Sequence, residues 1–252
     1  MANKAFWRNG RLYYYDTGMA GAITPANPEM WSYDDFMGTD TTDIVAQTQG
    51  WFGTAPGTSD AVTIAVVADV PGAAKVLSGT TDNDHAFLST VLSYYGKYDA
   101  CFETRLTIDS ASAVGMMIGF TDTTGIANGG AMTLATTTWT TTSVDGAAFV
   151  YDTDATTDTI RCMGVKNNTD ATNVDTSLVP VAGTYYVYRV ELEDNGSSTT
   201  AKFYIDGVLV GTIADVLTRT TALTPFVSMG CRTGAAAKYA LVDYMKAWQR
   251  RA

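Results

Sequence analysis

Four glutamates (Glu29, Glu103, Glu191 and Glu193), one histidine (His85) and three cysteines (Cys101, Cys162 and Cys231) are the residues from which this chain would have to build acid–base or nucleophilic chemistry. Among the glutamates only Glu191 and Glu193 are spaced for joint action, because residues two apart on a strand share a face. They lie in a stretch where Tyr186, Tyr188, Val190 and Leu192 alternate with Arg189, Glu191 and Glu193, so both carboxylates read as the solvated side of a half-buried strand. A lone histidine supplies neither a histidine-rich metal site nor a serine–histidine triad with a spare base, and His85, after Asp82-Asn83-Asp84, reads as a loop residue. The cysteines are odd in number, far apart and set in apolar stretches, as expected of buried free thiols acting as small hydrophobes.

Hard-cation chemistry would need clustered oxygens. Asp152, Asp154 and Asp158 form one such cluster and Asp40 and Asp43 another, but neither follows a calcium-loop signature, and both read as acidic turns on a rim. No metal ligand, cofactor or catalytic residue is therefore expected. Aromatic faces are the remaining candidates. Trp51-Phe52 and Trp139 could present aromatic faces to a sugar ring, but both read first as core or inter-sheet packing, Trp51 more strongly than Trp139, which lies in a threonine run and is kept as the candidate glycan-binding residue. Gly129-Gly130 lacks the flanks of a phosphate loop and reads as an ordinary turn.

Composition narrows the partners. The formal charge is −10, from 26 acidic and 16 basic side chains, which disfavours phosphate backbones and anionic lipid surfaces; neither nucleic acid nor membrane is expected as a partner. No apolar run approaches the length of a bilayer span, and the first residues lack a basic segment followed by a long apolar one, so the chain reads as soluble with no secretion signal of its own.

The elements that must position these residues read as strands. Aromatics at 11%, charged residues at only 17% and 23 glycines suit pleated, half-buried surfaces joined by tight turns. Tyr98 to Asp109 alternates cleanly, with Tyr98, Ala100, Phe102, Thr104, Leu106 and Ile108 on one face. The more uniformly apolar Val114 to Phe120 is expected to be its partner and to lie more centrally. Asp206-Gly207 between Lys202-Phe203-Tyr204-Ile205 and Val208-Leu209-Val210 predicts a type I′ hairpin, and Asn195-Gly196 a second turn. At the start, Asn9-Gly10 between Phe6-Trp7-Arg8 and Leu12-Tyr13-Tyr14-Tyr15 predicts a two-stranded aromatic ribbon. Gly18, Gly21, Pro25 and Pro28 mark the following segment as a linker, which places residues 1–29 in an arm and 30–252 in one large β-sandwich. Only Asp35 to Gln47 could hold a short helical turn.

Tyr185-Tyr186-Val187-Tyr188-Arg189-Val190-Glu191-Leu192-Glu193, followed by Lys202-Phe203-Tyr204-Ile205-Asp206-Gly207, resembles the hairpin of concanavalin A-like and laminin-G-like domains. Ala240 to Trp248 is similar to the closing strand of laminarinase-type glycoside hydrolases, and Trp31-Ser32-Tyr33-Asp34-Asp35-Phe36 resembles the opening of such domains. The resemblance covers roughly Trp31 to Arg250 and implies an all-β, concanavalin A-like jelly-roll sandwich behind an N-terminal aromatic β-ribbon arm. Enzymes of that superfamily carry two glutamates and an aspartate on one strand, to supply a nucleophile and an acid/base at a fixed separation. The strand that should bear them reads Ala147-Ala148-Phe149-Val150-Tyr151-Asp152, and Glu191 and Glu193 come one strand too late, so the resemblance implies a sandwich without hydrolase chemistry.

An aromatic arm, a threonine- and glycine-rich sandwich and a missing active site are similar to bacteriophage virion proteins with concanavalin A-like domains. That resemblance implies a capsid decoration or head-fibre protein on the particle exterior, soluble before assembly. Its arm residues Phe6, Trp7, Tyr13, Tyr14 and Tyr15 would bind the major capsid protein or another virion protein, or pack on the chain's own sandwich; a homo-oligomer is compatible with it. The alternatives are a lectin-like module that binds host or environmental glycans through an aromatic such as Trp139, and a divergent glycoside hydrolase using Glu191 or Glu193.

Overall fold

The computed structural model describes residues 3–8, 11–16, 29–34, 52–54, 64–66, 73–123, 131–135, 138–232 and 236–250. In chain order the strands are β1 (Asn3–Arg8), β2 (Arg11–Asp16), β3 (Glu29–Asp34), β4 (Phe52–Thr54), β5 (Ile64–Val66), β6 (Ala74–Leu77), β7 (His85–Ser89), β8 (Cys101–Ile108), β9 (Val114–Thr121) and β10 (Met132–Ala135). They continue as β11 (Thr138–Thr141), β12 (Gly146–Asp152), β13 (Arg161–Lys166), β14 (Thr169–Asp170), β15 (Val174–Asp175), β16 (Tyr186–Asp194), β17 (Thr199–Ile205), β18 (Val208–Leu217), β19 (Thr224–Cys231) and β20 (Tyr239–Arg250). The helical content of the described residues is one 3₁₀ turn, Gly96–Tyr98, and no helix among them is long and apolar enough to cross a membrane.

Two antiparallel sheets form the sandwich. The front sheet runs β14-β13-β12-β9-β19-β7-β4, with β15 also on β13; the back sheet runs β18-β17-β16-β8-β20-β6-β5, with β3 also on β20. Period-two alternation drives the two inner faces together. Ile118 and Phe120 of β9, Phe149 and Tyr151 of β12, and Val227 and Met229 of β19 meet Phe102 and Leu106 of β8, Tyr188 and Val190 of β16, and Phe203 of β17 in one core. Ring contacts cross the interface: Phe149 packs edge-on against Tyr188 at 5.4 Å and Phe203 at 5.2 Å. Edge-to-face geometry of this kind adds to the stabilisation from buried area alone.

The expected hairpins are present. Asp206 and Gly207 have φ of 50° and 79°, the positive values a type I′ turn requires, and Asp206 is further fixed by accepting the Val187 amide at 2.8 Å. β1 and β2 pair from Asn3↔Asp16 to Arg8↔Arg11, as the ribbon reading of the arm anticipates. The first and last sandwich strands pair with each other, Trp31 opposite Trp248.

Two expectations about the strands are corrected. β9 is central, but it is not the partner of β8: it pairs with β12 and β19 in the front sheet, while β8 pairs with β16 and β20 in the back sheet. Its uniformly apolar character has a physical cause. All eight β9 residues are buried because the outward side of the front sheet, like its inward side, packs in an apolar cluster, which Ala131 and Met132 join from outside the sheet. Tyr98 belongs to the 3₁₀ turn rather than to β8. The expected turn within Asp35 to Gln47, the linker glycines and prolines, Trp51, Asp40, Asp43 and Gly129-Gly130 lie outside the described residues.

Candidate functional site

The outward face of the front sheet is a buried apolar layer. Phe87 of β7, Phe226 of β19, Met117 of β9, Ala148 and Val150 of β12, and Met163 and Val165 of β13 cluster with Ala131 and Met132, and all are 0% exposed. Phe87 and Phe226 stack at 5.1 Å, and Met132 belongs to the β10–β11 hairpin, which lies over β12. Methionines at three of these positions fill an irregular gap that branched side chains would fill less well. On β12 the alternation sends Ala147, Phe149 and Tyr151 into the core and Ala148 and Val150 outward. No carboxylate stands on the outward face of β12 until its last residue, Asp152.

Asp152 belongs to a buried polar row at one end of this face. Register aligns His85, Gly230, Gly115 and Asp152 across β7, β19, β9 and β12. The two central glycines leave a slot that side chains from the ends fill. A Cβ at Gly230 would collide with the His85 ring, and one at Gly115 would stand 3.1 Å from Arg232 Nε and 3.2 Å from His85 Cε1. Arg232, 1% exposed, donates from Nε to Asp152 Oδ1 at 3.0 Å and from Nη2 to Asp152 Oδ2 at 2.6 Å, reaches Asp154 at 3.6 Å, and donates from Nη1 to Asn83. His85 is therefore a buried strand residue and not the loop histidine expected: Gly230 has no side chain, so the ring fits flat on the sheet. Burial, and then the Arg232 charge, lower its pKa to about 3. Its Nδ1 contacts Ser228 Oγ at 3.3 Å. Asp152 is likewise not a rim turn residue, because it is the counter-ion of Arg232; Asp154 is half-buried with its pKa raised by desolvation, and Asp158 is exposed.

The outward face of the back sheet is open and charged. Trp248, Cys101, Glu191 and Lys202 align in one row across β20, β8, β16 and β17, and Lys246, Glu103, Arg189 and Tyr204 in the next. Cys101 is shorter than its neighbours in the row, so the surface dips between the indole and Glu191, although the thiol itself is only 4% exposed. Around that gap lies a groove of about 440 Å³ lined by Asp99, Cys101, Glu191, Leu192, Glu193, Asp194 and Trp248. Each lining carboxylate has a basic partner. Arg189 Nε meets Glu191 at 3.0 Å, Lys202 meets Glu193 at 2.6 Å, Arg219 grips Asp194 through Nε at 2.8 Å and Nη2 at 2.6 Å, and Arg250 pairs with Asp99. The Asp194 carboxyl is held below its usual range, first by the Arg219 hydrogen bond. The Cys101 thiol is pushed up by burial and by Glu191, which leaves it protonated and unreactive.

The expected site residues are thus dispersed. Glu191 and Glu193 sit on the solvated face of β16, as their alternation implied, and line the groove. All three cysteines are free and buried; burial pushes Cys162 up to about 12. Trp139 lies on β11 opposite Leu134, and Phe6, Trp7, Tyr13, Tyr14 and Tyr15 lie on β1 and β2; these side chains are outside the described ones. Trp248 was missed. Continuous alternation from Ala240 and Val242 would bury Trp248, but a bulge between Val242 and Tyr244 shifts the parity, so Met245 and Ala247 face the core and Trp248 faces out. The break between Val242 and Met245 in the apolar pattern is the sequence signal for it.

The chain matches no family model and no curated protein. Its likeness is to solved structures. Bacillus licheniformis β-glucanase shares 16% identity at a TM-score of 0.56, over 88% of this chain and 98% of that one. Peanut lectin shares 11% at 0.57, over 89% and 99%. The carbohydrate recognition domain of Emp47p shares 11% at 0.54, over 91% and 99%. Together with the two antiparallel sheets and their register, these likenesses establish that the chain has the concanavalin A-like jelly-roll fold.

Proposed function

We propose that this protein is a non-catalytic, glycan-binding jelly-roll module. The observation that carries the reading is the outward face of β12, where Ala148 and Val150 are fully buried within an apolar cluster. Glycosidic cleavage needs two carboxyls about 5 to 10 Å apart across the scissile bond, with room for the sugar between them. β12 supplies neither the carboxyls nor the room, and the pair on β16 with such a spacing, Glu191 and Glu193, is engaged in ion pairs with Arg189 and Lys202. The similar structures are, by name, a lectin, a carbohydrate recognition domain and a glucanase, which favours a sugar as the ligand class. The test is a glycan array with parallel assay of reducing ends: saturable binding without cleavage supports the reading, and failure to bind any glycan refutes it.

A second reading has one observation of its own. The β1–β2 ribbon pairs only with itself among the described strands, and an isolated two-stranded ribbon is marginal without a surface to pack on. An arm of this kind would anchor the sandwich to the exterior of a virion as a decoration or head-fibre protein, with aromatic side chains contributing most of the affinity. Deleting residues 1–17 would then abolish particle association while leaving the sandwich folded. Full particle occupancy by the truncated protein would refute this.

A further inference from the structure

We infer that the groove between Trp248 and Glu191 on the back sheet is a binding site for an uncharged sugar, on the face opposite the sealed one; this rests on the glycan-binding reading above. The groove exists because of one short residue. Trp248, Cys101 and Glu191 are directly opposite one another on three adjacent strands, so the indole and the carboxylate are separated by two strand spacings, about 10 Å, with only the Cys101 side chain between them. At about 440 Å³ the space falls within the range of small-ligand sites.

The lining sets the ligand class. Ionised carboxylates only accept hydrogen bonds, so Asp99, Glu191, Glu193 and Asp194 call for a ligand rich in donors. Arg250, Lys202 and Arg219 pair with Asp99, Glu193 and Asp194, and Arg189 is shared between Glu191 and Glu103, which weakens the field that would draw in a cation. An anion would meet carboxylate oxygens from Asp99 as well as from β16. Hydroxyl groups satisfy the acceptors without either penalty, and the indole, one face of which carries Lys246 Nζ at 4.5 Å from the ring centroid, offers its other face to the C–H face of a pyranose ring. Glu191 and Glu193, two residues apart on one strand, stand about 7 Å apart along the groove, which suits successive hydroxyls of one chain. The ion pairs hold the carboxylates in place before the ligand arrives, which lowers the ordering cost of binding.

The experiment is calorimetric titration of the full chain with cellohexaose, laminarihexaose and mannohexaose as neutral probes, hexagalacturonate as the anionic probe and hexaglucosamine as the cationic one. Cys101→Phe fills the groove, and Glu193→Ala removes an acceptor from a half-exposed position where folding is not at stake. The expected result is binding of at least one neutral probe, weakened tenfold or more by each substitution. If Cys101→Phe does not fold, Glu193→Ala and Trp248→Leu decide. Neutral binding that survives these substitutions overturns the groove but leaves the glycan-binding reading standing. Binding confined to hexagalacturonate or hexaglucosamine overturns the uncharged ligand class. No binding to any probe overturns the glycan-binding reading itself.

Discussion

Arg232 grips Asp152 through two parallel hydrogen bonds, at 3.0 and 2.6 Å, with the two side chains 1% and 0% exposed. The pair ties the end of β19 to the end of β12 across β9, where Gly115 leaves room for the guanidinium. Removing one partner strands a buried charge. Arg232→Met or Asp152→Leu alone should therefore cost about 3–5 kcal/mol. The double variant should recover a large part of that loss, since no fully buried charge is left unpaired and only the half-buried Asp154 loses its contact with Arg232. Urea unfolding of the three variants checks this, and equal stability of single and double variants would show that the pair is not the principal tie.

His85 makes the fold sensitive to acid. Its pKa is lowered to about 3 in the folded protein, from 6.5 for a free side chain, so the unfolded chain binds the proton first. The contribution is fully present above pH 6.5 and is lost as pH falls from there toward 3, at up to about 1.4 kcal/mol per pH unit. His85→Gln should flatten that limb. Denaturation midpoints at pH 7 and pH 4.5 give the measurement: the wild type should lose more stability over this interval than the variant.

Gly230 and Gly119 should respond differently to alanine. A Cβ at Gly230 meets the His85 side chain, whereas one at Gly119 meets the backbone of β12 at Ala147 and Ala148. Each alanine should destabilise by about 1–3 kcal/mol. His85→Ala should rescue Gly230→Ala, because the obstructing ring is gone, and should leave Gly119→Ala unrescued. Additive losses in both double variants would contradict the packing described for the slot.

Much of the sandwich was legible because one-sided burial leaves a period of two. β8 and β16 each keep charged residues on the open face of the back sheet, so their alternation is visible in the sequence. β9 and β12 are covered on both sides, and their residues carry no face information; this is why β9 could be recognised as central but not assigned to its sheet. His85 was misread because the cause of its burial, Gly230, is 145 positions away in sequence yet directly opposite in register. Trp248 was missed because a bulge reversed the parity of β20.

Gly207 offers a local check on the best-marked turn. With φ at 79°, alanine there should cost about 1–2 kcal/mol, while nothing in the folded contacts is lost, since no atom lies within 4 Å of the position a Cβ would take. Asp206→Asn should retain most of the stability, because asparagine tolerates the positive φ and can still accept the Val187 amide. Thermal unfolding of the two variants separates the backbone effect from the side-chain one.

The central claim is glycan binding without glycan chemistry, and calorimetric titration with neutral oligosaccharides, followed by analysis of the same samples for new reducing ends, tests it most directly. The predicted result is saturable binding, with every oligosaccharide recovered at its original length. Steady release of reducing ends that Glu191→Gln or Glu193→Gln abolishes would contradict the claim, as would the absence of binding to any probe.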